Sequence, residues 1–208
     1  MRLISASAAA ALISDLIARG QEVPVISGTK ITSLAMAGLF SDHPVEGRNR
    51  RFDFDEVVKF ACSSLYLDAP EELDTLVYRV SVLPARPAPL FNTDGSLLRP
   101  HAGVDYRLDP SSAEFLGGFE MEWAESEENA DRCADEGALL LASHKGFIHP
   151  GCIRRVTDWF PVPGSNRKGF VTEPAEEEIQ KFVGKSGIWI DVPGGRENGF
   201  LVDNLPNS

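Results

Sequence analysis

Residues 29–60 read TKITSLAMAGLFSDHPVEGRNRRFDFDEVVKF. A short apolar-periodic run leads into Ala37-Gly38-Leu39-Phe40, and Ser27-Gly28-Thr29 just upstream supply capping residues. This predicts a short helix from about Lys30 to Ala37, stopped by Gly38. A polar turn leads to Gly47-Arg48-Asn49-Arg50-Arg51 and the aromatic Phe52. Asp53 with Glu56 three residues later has the spacing of a capping box, so a further helix should run to about Leu65 with Val57, Phe60 and Ala61 inward. The segment is thus helix, basic turn or hairpin, helix.

Working outward, residues 5–19 carry Ala9, Leu12, Ile13, Leu16 and Ile17 on one helical face, with Ser5 or Ser7 as cap and Gly20 as stop. Beyond residue 65, Ala69-Pro70 with Glu71 and Glu72 marks a junction. Leu76–Leu83 alternates as a strand with Leu76, Tyr78, Val80 and Val82 on one face. Pro84–Pro110, broken by prolines and by Asn92-Thr93-Asp94-Gly95, reads as loop with at most one short strand. Phe115–Trp123 is expected as a strand, Glu127–Glu136 as a helix capped by Ser126, and Ala138–Ala142 as a strand. Ser143-His144-Lys145-Gly146 is expected as a turn. Ile153–Val162 is expected as a strand, Pro174–Val183 as a helix, Ile188–Val192 as a last strand, and Pro193 onward as a tail. The whole is α+β, divided into residues 1–68 and an acidic portion, 72–208.

The first 65 residues resemble the excisionase and MerR-like helix-turn-helix family. The motifs are a leading helix opening on Leu3-Ile4-Ser5-Ala6-Ser7-Ala8-Ala9-Ala10, then Ala37-Gly38-Leu39-Phe40 at the end of the second helix. A G-R-x-R-R-aromatic wing follows over Gly47–Phe52, and Asp55-Glu56-Val57 opens the next helix. The resemblance covers under a third of the chain. It implies that the N-terminal part is a winged helix-turn-helix, ahead of the small strand-rich α+β domain read from the later pattern, in a DNA-binding regulatory or accessory protein of a bacterium or mobile element. It further implies that Ser27, Thr29 and Lys30 lie towards the major groove, while Arg48, Arg50 and Arg51 contact phosphates or the minor groove. Arginine suits that task because its planar fork makes paired, charge-assisted bonds to phosphate.

Charge bounds the strength of such binding. The chain has net charge −11, yet residues 1–65 hold seven Lys+Arg against seven Asp+Glu, so all the excess acidity lies downstream. DNA contact must therefore be local to the first part, salt-sensitive and modest for one copy. Self-association through the acidic portion, with a two-fold dimer as the default, or recruitment by a protein partner would double the contacts. Composition, 43% hydrophobic and 25% charged, is that of a folded globular chain. No apolar run is long enough to span a membrane, and the start lacks the pattern of a secretory signal. Cys62, Cys133 and Cys152 are odd in number and widely spaced, which suits a reducing cytoplasm.

Other chemistry-bearing residues are weaker signals. His144, His149 and Cys152 have metal-ligand types, but no second pair stands at zinc spacing and Pro150 excludes a helix, so no metal is expected. On one continuous strand the two histidines would face opposite sides. Arg79, Ser143 and Glu176-Glu177-Glu178 resemble in kind the arginine, serine and glutamate of ADP-ribosyltransferases. The acids, however, follow Pro174, where a helix dipole favours them anyway. The chain is accordingly read as non-enzymatic and without cofactor. The alternative is a phage- or plasmid-encoded interaction protein acting through its acidic domain.

Overall fold

The computed structural model describes the chain except residues 20–21, 24, 45–49, 69, 177–178, 180–183, 192–197 and 203–208. It is an α+β fold with five helices and several sheets among the described residues. The first unit runs β1 (Leu3–Ser5), α1 (Ala6–Ala18), α2 (Gly28–Met36), β2 (Asp42–Pro44), β3 (Arg50–Asp53) and α3 (Phe54–Ser63). Its strands form an antiparallel sheet in the order β1-β3-β2, with Ile4 opposite Phe52 and His43 opposite Arg51. All three helices start where the sequence places a cap. Ser5, Ser27 and Asp53 each accept a backbone N–H from the first turn. The box at Asp53 is half made, because the Glu56 carboxylate instead accepts the Ser41 N–H and hydroxyl, fastening the exit of α2 to α3.

The second part is built on a five-stranded sheet in the order β11-β10-β8-β5-β13: β5 (Val77–Ser81), β8 (Leu139–Ser143), β10 (Ile153–Pro161), β11 (Lys168–Pro174) and β13 (Gly199–Val202). Central β5 and β8 are parallel, and every residue of β8 is buried, as a strand covered on both faces requires. The same holds for Val77–Val80, so the one-sided alternation read from the sequence gives way to two-sided burial. Between β5 and β8 lie the hairpin β6 (Arg86–Phe91) and β7 (Leu97–Ala102), then α4 (Ala113–Glu120) and α5 (Glu127–Asp135). α5 packs on β10, and α4 on β7 and β11.

A third sheet joins the two parts. β4 (Ser64–Leu67), which follows α3 directly, pairs in parallel with β12 (Gly187–Ile190), and β12 pairs antiparallel with β9 (Phe147–Ile148). The two-residue alternation of a strand then separates two cores. Phe147 and Trp189 face the core of the N-terminal helices with Ile13, Ile31, Leu34 and Phe60. Ile148, Ile188 and Ile190 face the core of the five-stranded sheet. Phe60 meets Phe147 at 5.2 Å and Trp189 at 6.4 Å between ring centroids.

Four expectations are corrected. Residues 113–120 are helix rather than strand. Phe115, Gly117 and Phe119 mimic a period of two, but Ser112 caps a helix on which Phe115 and Phe119 stack one turn apart. Residues 84–110 hold a full hairpin, in which the prolines of β6 sit on an edge where no ladder N–H is needed. The chain up to Pro174 extends β11, and the helix expected after it lies largely outside the described residues. The tail expected after Pro193 includes β13, which pairs with β5.

Candidate functional site

The first turn of α2 is built from hydroxyls. The Ser27 hydroxyl accepts the Lys30 N–H at 3.4 Å and lies 2.8 Å from that of Thr29. Thr29 is exposed, while Ser27 and Lys30 are half-buried. Burial holds the Lys30 ammonium below its usual range, Asp191 opposing the shift and Lys145 adding to it. On β3, Arg50 and Arg51 are half-exposed, one opposite Pro44 and the other opposite His43. Arg48 lies outside the described residues. The structure therefore brings Arg50 and Arg51 onto one hairpin and leaves Ser27, Thr29 and Lys30 together at a helix start.

The later turns of α2 are held by the second part of the chain. The Ser33 hydroxyl lies 2.8 Å from His144 Nε2, and the Ala37 carbonyl accepts the Tyr106 N–H at 2.7 Å. Gly38, at φ +85, packs so closely on Arg107 that a Cβ would sit 2.7 Å from its Cγ. His144 is fully buried at the end of β8. Lys145 and Gly146, both with positive φ, form a two-residue turn, and His144 and Phe147 exchange backbone hydrogen bonds across it. The turn expected over residues 143–146 is thus present, and the segment is not the continuous strand on which the histidines would face opposite sides. Tyr106 stacks near His144 at 6.2 Å and His149 at 5.1 Å. Both imidazoles are pushed down to about 4, chiefly by burial, with Lys145 adding at His144. His149 Nδ1 accepts the Gly151 N–H at 3.1 Å, which suits the neutral ring. Burial pushes the Cys152 thiol far up, so it is no ready thiolate ligand. Among the described residues no group of three metal-ligand types converges.

The seam of Ser33, His144, Tyr106 and His149 is the feature that sequence reading missed. Its faint signal is a serine in the middle of an apolar helix, where a hydroxyl needs an outside partner or its own backbone. Arg79 and Ser143 sit buried on neighbouring β5 and β8, and Glu176 pairs with Arg155 rather than with either.

The chain matches no family model, no curated protein and no solved structure.

Proposed function

We propose that this chain contacts double-stranded DNA through its N-terminal unit, as a regulatory or accessory protein, and that the acidic α+β body serves association or ligand sensing. The observation that carries the reading is the order β1-α1-α2-β2-β3-α3 with its β1-β3-β2 sheet. In a winged helix such a hairpin follows the second helix and both meet the duplex side by side. Only the first turn of α2 has an exposed residue of polar type, Thr29, while Ser33 and Ala37 are tied to the body. The contact therefore centres on Arg50 and Arg51 of the hairpin and on Arg48, two residues before them in the sequence, with Ser27, Thr29 and Lys30 in support. Binding of this kind is mostly phosphate neutralisation. Three arginines give a slope of about −3 for log affinity against log salt.

The experiment is fluorescence anisotropy of a labelled duplex titrated with the intact protein over a range of salt. A slope near that value supports the reading, and no retention of duplex DNA even at low salt removes it. In the latter case the ties from Ser33 and Ala37 favour the second reading, a helix-turn-helix used for packing or for a protein partner. For the localisation, no helix among the described residues is long and apolar enough to cross a membrane.

A further inference from the structure

A cleft of about 310 Å³ lies between the end of β5, the hairpin β6–β7 and the end of α4. It is far from the seam in composition: Arg86, Arg99 and Arg167 line it with Glu122 as its acid. Three guanidiniums and one carboxylate leave a local excess of two positive charges in a chain of net charge −11. A surface patch of that kind is usually solvated, but this one is built. Arg99 is 2% exposed, its Nη2 on the Glu122 carboxylate and its Nη1 donating to the Met121 carbonyl at 3.4 Å. Its Nε is buried and has no partner among the described residues.

Glu122 is fixed from every side. Its φ of +68 lies in the left-handed region, which costs a glutamate free energy unless the surroundings impose it. The next residue, Trp123, exchanges both backbone hydrogen bonds with Lys168 at 2.9 Å, and its indole N–H donates to Phe119 at 2.8 Å. Arg167 Nη1 donates to the Glu122 carbonyl at 2.8 Å. On the floor the Gly103 N–H donates to Gly118 O at 2.8 Å, and a Cβ on Gly118 would come within 2.2 Å of the Gly103 carbonyl. Strain held in place beside a buried arginine is a feature of binding sites more than of plain packing. Arg86, exposed at the rim, makes no ion pair among the described residues.

We infer that this cleft binds a small organic phosphate monoester. A dianion balances the two excess charges, and phosphate oxygens accept the paired N–H groups that guanidinium forks present. The volume is at the small end for ligand clefts, which span about 300–1,000 Å³, so the fit is to a sugar phosphate and not to a dinucleotide or a nucleic-acid strand. Arg86 and Arg167 grip the phosphate from the rim, and the buried Arg99 guanidinium adds its charge beneath.

The test is calorimetric titration of the full-length protein with ribose 5-phosphate, inorganic phosphate, ribose and malonate, alongside thermal melts. Saturable binding of ribose 5-phosphate with a raised melting temperature, and none by ribose, is expected. Competition by inorganic phosphate at the same site supports phosphate as the recognised group. The variants R86A and R167A should each weaken binding about tenfold. The unliganded melting temperature should be unchanged in R86A, whose exposed side chain makes no ion pair among the described residues, and slightly lower in R167A, which loses its bond to the Glu122 carbonyl. Unchanged affinity in the R86A/R167A double variant overturns the inference. So does saturation by malonate with no response to either phosphate. No DNA enters these measurements, so their failure is separate from that of the DNA reading.

Discussion

The seam between α2 and the body and the cleft beneath the hairpin both bury polar atoms, but in different electrical states. At the seam the side chains are hydroxyls and imidazoles that burial keeps neutral, joined by one 2.8 Å bond between Ser33 and His144. In the cleft an ion pair between Arg99 and Glu122 is held under a backbone kept in a left-handed conformation. A neutral cluster ties two elements together and asks little of solvent. Both regions bury polar atoms without a partner among the described residues, Tyr106 Oη and His144 Nδ1 at the seam and Arg99 Nε beside the cleft, but only the cleft adds an ion pair and a strained backbone. The difference predicts how each region fails.

The largest effect should come from acid acting on the seam. An unfolded histidine titrates near 6.5, whereas His144 and His149 in the fold are pushed down to about 4. Between those values the unfolded chain takes up protons that the native one refuses, so stability is full above about pH 6.5 and falls as pH drops towards 4. Each histidine contributes about 2–3 kcal/mol to that loss. Melting temperatures measured across this range should fall steeply, and H149Q should flatten the curve. A melting temperature insensitive to pH over this window would mean that the imidazoles reach solvent and the seam is not closed.

Next comes the cleft. R99M removes one partner of an ion pair whose arginine is buried and whose glutamate is 38% exposed, leaving that carboxylate unpaired. The expected loss is about 2 kcal/mol by urea denaturation, since the carboxylate left behind is partly exposed and can be hydrated. R86A, at the rim of the same cleft, should cost close to nothing, since exposed charges contribute little to folding, and R167A no more than about 1 kcal/mol for its bond to the Glu122 carbonyl. If R99M were as stable as the parent, the pair would be a surface contact and the contrast between cleft and rim would vanish.

Much of the first unit was legible in the sequence because its signals are local. Ser5, Ser27 and Asp53 cap helices a few residues away, and Arg50 and Arg51 share a hairpin because they are neighbours in the chain. The cleft was not legible. Arg86, Arg99, Glu122 and Arg167 come from four separate stretches, and no periodicity relates them. Phe115-Leu116-Gly117-Gly118-Phe119 misled for a related reason. Its apolar spacing fits a strand or a helix equally, and the decision lies in Gly117 and Gly118 packing on Arg99 and Gly103, a contact made only in three dimensions. The pairing of β4 with β12, more than a hundred residues apart, was likewise beyond any local pattern.

A smaller effect tests the seam's bond between the Ser33 and His144 side chains. S33A deletes the hydroxyl and leaves buried His144 Nε2 without it, a cost of about 1–2 kcal/mol. The change should appear in urea denaturation with an unaltered slope, since no surface is exposed in the native state. Because β4, β12 and β9 share their faces between the two cores, S33A should still unfold in one transition. Two separated transitions would show that residues 1–68 and 72–208 fold as independent units and that the shared sheet couples them only weakly.

The smallest effect on stability, and the largest on the proposed activity, belongs to the hairpin. Arg50 and Arg51 are half-exposed on β3, and Arg48 precedes them by two residues. Replacing all three with alanine should move the free energy of unfolding by no more than about 0.5 kcal/mol, because charged side chains at such positions already keep most of their hydration. The same change removes the only run of cations in the unit and leaves it with four Lys+Arg against seven Asp+Glu, so duplex DNA should no longer be retained in anisotropy or gel retardation at low salt. The three readings separate cleanly. Lost retention with an unchanged melting temperature assigns the arginines to DNA. Unchanged retention shifts the contact to the first turn of α2, where T29A and K30A become the decisive variants. A fall in melting temperature of several degrees would make the arginines part of the β1-β3-β2 sheet's own stability. The wing would then resemble the Arg99–Glu122 pair in serving the fold.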